Sequence, residues 1–539
     1  MPHAEADALD RVVTGGAEPW WKGATIYQIY PRSFADTNGD GVGDLKGIAA
    51  HLDHVARLGV DCIWISPFYT SPMRDFGYDV ADYRGVDPVF GTLEDFDAVV
   101  ARAHALGLKV IIDQVYSHTS DQHPWFVESR SSRDNARADW YVWADPKSDG
   151  SPPSNWQSVF GGASWTWDAR REEYYHHNFL KDQPQLNCHL PEVQEALLDI
   201  VRFWLDRGVD GFRFDAINFM MCDLALTDNP PVRSPVKRTR PFDFQHHIHN
   251  QSQPEIVSFL ERLRATVDSY GDCFALAEVG GEQALKEMHE YTGGPCRLHS
   301  AYGFDFLYAD QLTPRIVAEA AQHWPDAPGV GWPTWAFENH DAPRALSRWC
   351  AAEHAPQFGR TKMLLFAALR GTIILFQGEE LGLTQVDVPF DKLLDPEAIA
   401  NWPQTLSRDG VRTPMPWLAD PAGHGFTTGE PWLPFGPDHA ELAVDRQAAD
   451  EGSMLSFTKT VLALRNRTPA LRWGRLEVRE AGEQLLVFDR VRGEQRVRCT
   501  FNLSASEAPL RRHNGALMTT GPVLADALGP YAALLEEIV

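Results

Sequence analysis

A short alternating segment combines a basic and an acidic side chain in a way that suggests acid–base or nucleophilic chemistry. In the segment GFRFDA, residues 211–216, every second side chain of a strand points the same way, so Arg213 and Asp215 share one face. A fixed positive charge beside the carboxylate favours its ionised form, which a nucleophile or an electrostatic stabiliser needs. An Arg–Asp pair that only stabilises a sheet fits this segment equally well, so other segments must decide.

Acidic and imidazole side chains also end three other apolar segments. The segments at 109–118, 273–279 and 334–341 end in polar residues that include His118, Glu278, His340 and Asp341. Glu278 lies in an apolar stretch with no arginine beside it, which favours a protonated acid, whereas Asp215 should stay charged. Three acids and two histidines are more than sheet stability requires, so the pattern predicts a catalytic site.

Eight short apolar segments, each followed by a stretch able to form a helix, would position these side chains. They lie at 24–33, 61–68, 109–116, 211–216, 273–279, 300–306, 334–339 and 372–377. Strands that alternate with helices form parallel sheets, and eight such units predict an α/β fold, a closed (β/α)8 TIM barrel. The carboxyl ends of its strands meet at one face, which would bring the acids together.

The rest of the sequence predicts further segments and domains outside this barrel. Residues 1–18 look like a leader, and the barrel would comprise 19–117 and 185–465. The segment 118–184, rich in Trp, Asn, Ser and Pro, interrupts the rhythm after the third strand and predicts a small inserted domain. A second long connection, 220–249, is expected to border the mouth of the barrel. Residues 466–539 alternate apolar and polar side chains, with strands at 484–490, 495–502 and 508–512, and predict a C-terminal antiparallel β domain.

Charge and cysteine content narrow the function class. The 539 residues carry 49 basic and 74 acidic side chains, a net charge of −25, which disfavours nucleic acid or an anionic membrane as partner. Seven scattered cysteines without a CxxC pair indicate reduced thiols and no zinc site. With no visible signal peptide or membrane span, we expect a cytoplasmic enzyme, a monomer or homodimer, acting on a small neutral substrate.

A glycine-rich turn is the one candidate metal site. Oxygen-bearing side chains alternate with glycine in the order Asp36, Asn38, Asp40, Val42 (through its carbonyl oxygen) and Asp44, as in the first half of a calcium loop. Gly47 stands where the bidentate glutamate of a full loop would be, so the loop is incomplete. The expectation is one structural Ca²⁺, or Mg²⁺, far from the chemistry; a solvated acidic turn without metal is the alternative.

The chain resembles the α-amylase family of glycoside hydrolases, within it the bacterial α-glucosidases and oligo-1,6-glucosidases. The resemblance runs from about residue 20 to 417. It rests on WWKGATIYQIYPRSF, GVDCIWISPFYTSP, FGYDVADY, the four strand-end segments, FQGEELG and SRDGVRTPMPW, and in the insertion on NWQSVFGGASWTW, YYHHNF and QPQLN. The C-terminal domain is similar only in type.

The resemblance implies a role for each matching acid. Asp215 matches the nucleophile, Glu278 the general acid/base, and Asp341 the acid that binds the sugar 2- and 3-hydroxyls. The first two carboxyls should then lie roughly 5–5.5 Å apart, the spacing of a retaining mechanism. Ser117 and Gln185 depart from residues typical of calcium-binding amylases, so no ion is expected between barrel and insertion.

The resemblance also implies substrate contacts. The matching positions are Asp75, Tyr78, His118, Phe160, Phe179, Arg213, Ala216, His340 and Arg408. An aspartate paired with Arg408 would close the pocket and make the enzyme exo-acting on terminal glucose. Ala216, where relatives that prefer α-1,6 bonds often have valine, favours α-1,4 substrates such as maltose, with sucrose also possible.

Other functions stay open at this stage. A glucosyltransferase, a sucrose isomerase or an oligo-1,6-glucosidase would use the same glucosyl intermediate. A non-enzymatic, transporter-associated chain of the same fold is disfavoured because all three acids are present.

Overall fold

The computed structural model describes residues 18–233, 240–404, 407–420, 422–511 and 515–538. The predicted leader lies outside this part of the chain, except for Glu18. In the described ranges no helix is long and apolar enough to cross a membrane. All seven cysteines are free, and five of them are buried.

The strands and helices occur in the following order. The strands are β1 (Thr25–Ile29), β2 (Cys62–Ile65), β3 (Lys109–Val115), β4 (Trp143–Ala144), β5 (Trp165–Asp168), β6 (Glu173–His176), β7 (Gly211–Asp215), β8 (Phe274–Glu278), β9 (Ser300–Tyr302), β10 (Trp332–Ala336), β11 (Thr372–Phe376), β12 (Arg475–Ala481), β13 (Leu485–Arg492), β14 (Gln495–Asn502), β15 (Ala508–Pro509), β16 (Ala516–Thr520), β17 (Ala527–Leu528) and β18 (Ala533–Glu537). The α-helices are α1 (Leu45–Leu58), α2 (Leu93–Ala105), α3 (Pro124–Ser129), α4 (Pro191–Asp206), α5 (Ile256–Asp268), α6 (Ala284–Thr292), α7 (Pro314–Gln322), α8 (Ala345–Trp349), α9 (Ala355–Ala368), α10 (Pro396–Asn401), α11 (Val444–Ala448), α12 (Met454–Arg467) and α13 (Pro469–Trp473). Short 3₁₀ turns lie at Pro31–Ser33, Ile217–Phe219, Pro241–Phe244, Ala352–His354, Glu379–Leu381, Phe390–Lys392 and Arg408–Gly410.

Eight parallel strands close into a barrel in the order β1-β11-β10-β9-β8-β7-β3-β2. This confirms the predicted (β/α)8 fold, and the strands are buried almost throughout because helices cover them outside and side chains fill the centre. The register sets Arg213 of β7 opposite Asp113 of β3 and Leu276 of β8. The carboxyl ends of β3, β7 and β8 therefore open at the same face.

The seventh barrel strand ends earlier than predicted. It stops at Ala336, whereas the sequence suggested 334–339. Asn339 ends the extended chain: its side-chain Oδ1 accepts the backbone N–H groups of Asp341 at 2.9 Å and Ala342 at 2.8 Å. His340 and Asp341 are thus carried on a tight turn just beyond the strand.

The inserted segment forms its own small sheet. The strands β4, β6 and β5 pair antiparallel in that order. A backbone bridge between His118 and Gln185 joins the two ends of the segment at its neck. The insertion therefore stands over the carboxyl end of β3, where His118 begins it.

The C-terminal region is antiparallel, as predicted, although its sheet starts later. Five strands pair in the order β12-β13-β14-β18-β16, and β15 pairs with β17. The sheet begins at Arg475 rather than near 466, because α12 and α13 continue to Trp473. The sequence missed β12 because its side chains are half-buried or exposed and alternate weakly. Of the predicted strand 508–512, only Ala508–Pro509 forms, and Arg512 lies outside the described residues.

Candidate active site

Arg213 lies at the centre of the opening at the carboxyl ends of the strands. Its buried guanidinium stacks over Trp64, with Cζ 4.9 Å from the ring centroid. Nη1 donates to Asp215 Oδ1 at 2.7 Å and also to Asp113, and Nη2 lies 2.6 Å from Glu278 Oε1. One arginine therefore serves three carboxylates. We call Arg213, Asp113, Asp215 and Glu278 the Arg213 cluster.

Burial and the divided charge of Arg213 together raise the pKa of two carboxyls of the cluster, those of Asp215 and Asp113. Burial raises the pKa of Asp215 well above its usual range; Arg213 opposes this, while Glu278 and Asp113 add to it. Burial likewise raises the pKa of Asp113 to about 6. The sequence analysis treated Arg213 as the partner of Asp215 alone and therefore predicted that Asp215 stays ionised. Because three acids share it, the cluster retains a proton at a pH where isolated carboxyls have lost theirs.

The prediction that Glu278 has no arginine beside it is wrong. β7 and β8 are neighbours in the barrel, so Arg213 reaches Glu278 across strands rather than along the sequence. Glu278 Oε1 also accepts the Tyr302 hydroxyl at 2.9 Å, and Oε2 accepts the backbone N–H of Ala216 at 3.1 Å. The carboxyl group is therefore fixed in orientation at both of its oxygens.

A second group of charges surrounds Asp341. Asp341 Oδ1 accepts from Arg412 Nη2 at 2.6 Å and from Arg408 Nη1 at 3.2 Å. Arg408 Nη2 donates to Asp75 at 3.1 Å and to Asp395 at 2.9 Å. We call these five residues the Arg408 cluster. The aspartate expected to pair with Arg408 is Asp75, and their bridge joins the loop after β2 to the loop after β11, the two strands that flank β1.

Two arginines keep Asp341 ionised. Burial alone would raise the pKa of this carboxyl, but His340, Arg412 and Arg408 hold it well below its usual range. His340 is itself neutral at neutral pH, because burial lowers its pKa to about 3. The lasting attraction therefore comes from the arginines. Asp341, whose side chain is 28% exposed, is the acid best suited to bind neutral hydroxyl groups.

Tyr78 and His340 connect the two clusters. Their rings stack with centroids 5.3 Å apart and an interplanar angle of 4°. Gln28 Nε2 donates to His340 Nδ1 at 2.8 Å, which leaves Nε2 as the donor toward Tyr78 Oη at 2.7 Å. Tyr78 in turn donates to Asp113 Oδ2 at 3.2 Å. The two predicted residues thus form a rigid polar wall between Asp113 and Asp341.

His118 and Asp75 meet through a residue of the insertion. Gln183 Nε2 donates to Asp75 Oδ2 at 3.1 Å and lies 3.1 Å from His118 Nε2, which also donates to the Tyr78 carbonyl at 3.1 Å. Burial lowers the pKa of His118 to about 4, so its ring is neutral. The insertion therefore contributes directly to the hydrogen-bonded surroundings of Asp75 and His118.

Aromatic side chains of the insertion contact Arg408 and His118. The guanidinium of Arg408 lies over the ring of Phe160, 5.2 Å from its centroid. Phe179 contacts the ring of Phe160 at 6.0 Å between centroids, and those of His118 and Phe219 at 5.1 Å each. Phe160 and Phe179, both predicted from the insertion, are brought to the Arg408 cluster.

Ala216 occupies a strained backbone conformation directly after Asp215. Its φ of 38° and ψ of 46° are left-handed, a region that costs an ordinary residue roughly 1–2 kcal/mol. The turn starts the 3₁₀ segment Ile217–Phe219 and aims the Ala216 N–H at Glu278. Such outliers cluster at functional sites, which fits this position between two catalytic candidates.

The glycine-rich turn at 36–44 lies away from both clusters. Asp36 accepts the backbone N–H groups of Asn38, Gly39 and Gly41 at 2.8–2.9 Å, and Asp44 caps α1 by accepting from Gly47 N at 2.7 Å. Across the described ranges, no three His, Cys, Asp or Glu side chains converge as metal ligands would. The oxygen donors of this turn suit a hard cation, and the calcium assignment stays a prediction.

The neck between barrel and insertion is built from amide hydrogen bonds. Gln185 Nε2 donates to the Phe219 carbonyl at 2.7 Å, and Gln185 Oε1 accepts from Asn178 at 3.0 Å. Ser117 Oγ contacts His118 Nδ1 at 2.9 Å. An amide that donates to carbonyls occupies the place where a cation would need acceptors. The expectation of no ion at the neck stays a prediction.

Several residues of the site escaped the sequence reasoning, among them Asp113 of β3 and Gln183 of the insertion. Tyr302 ends a strand without an acid, and Arg412 and Asp395 come from the long loop after β11. Two signals were available: Tyr302 is polar at a strand end, and Arg412 follows Arg408 by four residues within SRDGVRTPMPW. Asp395 carried no comparable signal, because its role depends on how the loop folds back on Arg408.

Comparison with known proteins agrees with this geometry. The family model described as the alpha amylase catalytic domain matches residues 28–474. A probable alpha-glucosidase of Rhizobium meliloti is 52% identical over 508 residues, covering 92% of this chain and 92% of the relative. An oligo-1,6-glucosidase of Heyndrickxia coagulans is 37% identical over 526 residues, covering 90% of this chain and 92% of the relative.

Solved structures are similar over almost the whole chain. The alpha-glucosyl transfer enzyme XgtA superposes with a TM-score of 0.93 at 49% identity, covering 97% of this chain and 100% of that one. The trehalulose synthase MutB from Pseudomonas mesoacidophila has a TM-score of 0.89 at 31% identity, again covering 97% and 100%.

Proposed function

The chain belongs to the α-amylase family of glycoside hydrolases, and we propose that it is a retaining, exo-acting α-glucosidase. It would release α-glucose from the non-reducing end of short oligosaccharides, above all from α-1,4-linked maltose, and would also cleave sucrose. The observation that carries this proposal is the Arg213 cluster, in which Asp215 and Glu278 face the two arms of one guanidinium. Such close carboxyls suit a covalent double displacement rather than direct attack by water.

The proposed reaction has two steps. In the first, the Asp215 carboxylate attacks the anomeric carbon, and the bond to the glycosidic oxygen breaks with its electron pair on that oxygen. Glu278 gives its proton to the departing oxygen. In the second step Glu278 takes a proton from water, the water oxygen bonds to the anomeric carbon, and Asp215 leaves as a carboxylate. Two inversions give overall retention.

The Arg408 cluster would hold the terminal glucose. Asp341, ionised between Arg408 and Arg412, can accept hydrogen bonds from sugar hydroxyls. The Asp75–Arg408 bridge at 3.1 Å blocks the pocket beyond that sugar. A blocked pocket accepts a chain end but not the middle of a chain, which supports exo action on short substrates.

Glucosyl transfer to a sugar acceptor is the second candidate. The 49% identical neighbour XgtA is an alpha-glucosyl transfer enzyme, and the 31% identical MutB is a trehalulose synthase. Both activities would use the same glucosyl intermediate, with a sugar replacing water in the second step. The balance depends on how well the acceptor binds, so the proposal includes transglucosylation at high sugar concentration.

Product analysis tests the proposal. The purified protein is incubated with maltose, isomaltose and sucrose at low and high concentration, and the products are separated by chromatography. The proposal expects free glucose from maltose at low concentration and trisaccharides at high concentration. No glucose from any of the three sugars would contradict a glucosidase, and an isomer of sucrose as the main product would favour an isomerase instead.

A further inference from the structure

Tyr302 contacts both the arginine and the acid of the Arg213 cluster. It ends β9, is 1% exposed, and its Oη lies 3.0 Å from Arg213 Nε and 2.9 Å from Glu278 Oε1. An arginine nitrogen can only donate, so Tyr302 Oη must accept there. The single hydroxyl proton is therefore directed at Glu278 Oε1. Burial raises the pKa of Tyr302 well above its usual range, so the hydroxyl keeps that proton.

The two oxygens of Glu278 consequently differ. Oε1 accepts the Tyr302 hydroxyl and forms an ion pair with Nη2 of Arg213 at 2.6 Å, without hydrogen-bond geometry. A proton on Oε1 would therefore meet the hydroxyl hydrogen and a positive charge. Oε2 faces one backbone donor, the N–H of Ala216 at 3.1 Å, and keeps a free lone pair.

We propose that Tyr302 is a positioning residue that reserves Oε1 of Glu278 as an acceptor and so assigns the catalytic proton to Oε2. The inference rests on the proposed acid/base role of Glu278. In the first step the Oε2–H bond breaks and the proton moves to the glycosidic oxygen, which leaves the anomeric carbon with the electron pair. The carboxylate that remains already faces Tyr302 and Arg213, and Oε2 regains a proton from the attacking water in the second step.

The test compares two isosteric variants on two substrates. Tyr302→Phe keeps the ring and removes the hydroxyl. Tyr116→Phe is the matched control: Tyr116 is also buried, and its hydroxyl donates to the Leu197 carbonyl at 3.2 Å, between the barrel and α4. The substrates are maltose, whose leaving group needs the acid, and 4-nitrophenyl α-glucoside, whose leaving group departs almost unaided.

The expected result is a substrate-dependent loss. For Tyr302→Phe, kcat/KM should fall roughly 10- to 100-fold with maltose and only about two- to three-fold with the nitrophenyl glucoside. Tyr116→Phe should leave the ratio of the two kcat/KM values as in the wild type. The ratio is measured within one preparation, so it does not depend on the fraction of protein that is folded.

Equal losses on both substrates, or no loss on maltose, would overturn the inference. Either outcome would mean that the Tyr302 hydroxyl does not affect proton transfer from Glu278 to the leaving group. Glu278→Gln, assayed in parallel, distinguishes this from a failure of the proposed function. If Glu278→Gln retains wild-type activity on maltose, the acid/base assignment itself fails. If it is inactive while Tyr302→Phe shows equal losses, only the role of Tyr302 is wrong.

Discussion

The two charged clusters of the site both consist of aspartate or glutamate side chains and arginines, but they differ in the ratio of acids to arginines. Each contains three carboxylates, but the Arg213 cluster has one arginine and the Arg408 cluster has two. With every acid ionised, the first would carry an excess of two negative charges and the second an excess of one, and the first reduces its excess by retaining a proton. Burial raises the pKa of Asp215 in the first, whereas the arginines hold that of Asp341 low in the second. The Arg213 cluster, in which acids outnumber arginines more, is therefore suited to proton transfer. The Arg408 cluster, in which the charges nearly balance, is suited to binding neutral hydroxyl groups.

The largest expected effect comes from removing a carboxylate of the Arg213 cluster. Asp215→Asn and Glu278→Gln should each lose on the order of 10³-fold in activity or more, since each removes a whole chemical role. They should differ with 4-nitrophenyl α-glucoside. Mass spectrometry should find a glucosyl adduct on Glu278→Gln and none on Asp215→Asn; an adduct only on Asp215→Asn would reverse the two roles.

Removing one arginine from the Arg408 cluster should make it resemble the Arg213 cluster. Arg412→Met takes a buried donor from Asp341, so kcat/KM should fall on the order of 10²-fold. Arg412 lowers the pKa of Asp341, and activity needs the ionised form. Without that arginine the pKa of Asp341 rises, and carbon NMR of the Asp341 carboxyl group should detect the higher pKa. The acid limb of the pH profile stays with Asp215, whose pKa is the higher of the two.

The charge-preserving variant Arg412→Lys separates charge from geometry. It should lower kcat/KM, because a lysine cannot reproduce the contacts to Asp341 and the His340 carbonyl together. The pKa of Asp341 in this variant should stay near its wild-type value. An unchanged pKa of Asp341 in Arg412→Met would mean that the arginine does not set the ionisation of Asp341, and the contrast between the clusters would be lost.

A smaller effect is expected at the edge of the Arg213 cluster. Ala216→Val adds two methyl groups beside Asp215 and should shift the maltose/isomaltose ratio of kcat/KM roughly tenfold or more toward isomaltose. Because Ala216 has a φ of 38°, valine also adds backbone strain, which should lower activity on both sugars alike. Ala216→Gly, which relieves that strain without adding bulk, is the control and should keep the wild-type ratio. An unchanged ratio in Ala216→Val would leave linkage choice to the 220–249 connection.

The smallest effect on chemistry is expected from the turn at 36–44, which lies outside both clusters. If it holds Ca²⁺ or Mg²⁺, chelation should lower the melting temperature and leave the substrate preference unchanged. Asp36→Asn, with a weaker ligand, should show a lower melting temperature that chelator no longer changes. Metal analysis of the purified protein that finds no bound divalent ion would contradict the prediction.

The sequence predicted those site residues whose position follows from a regular pattern, either the alternation of side chains along a strand or the repeat of strands and helices. Arg213 and Asp215 share a face because they are two positions apart on one strand, and their 2.7 Å contact follows from that spacing. His118, Glu278 and Asp341 lie at the carboxyl end of the barrel because eight strand–helix repeats fix that direction. For these residues, the position predicted from the local sequence pattern is the position that the fold gives them.

The relations between separate segments could not be predicted in the same way. The contact of Arg213 with Glu278 depends on barrel register, which places side by side two strands whose paired residues are 63 positions apart in the chain. Asp395 and Arg412 depend on the path of the loop after β11, which contains no periodic pattern. The sharing of one arginine among three acids is thus a tertiary property, and the pKa of Asp215 is higher than the Arg213–Asp215 pair alone predicts.

The anomeric form of the first glucose released tests the central claim most directly. Proton NMR of maltose hydrolysis, followed from the first minutes before mutarotation, distinguishes the two anomers. A covalent intermediate on Asp215 predicts that α-glucose appears first and β-glucose grows in only by mutarotation. β-Glucose as the first product would contradict Asp215 as nucleophile and the retaining mechanism together.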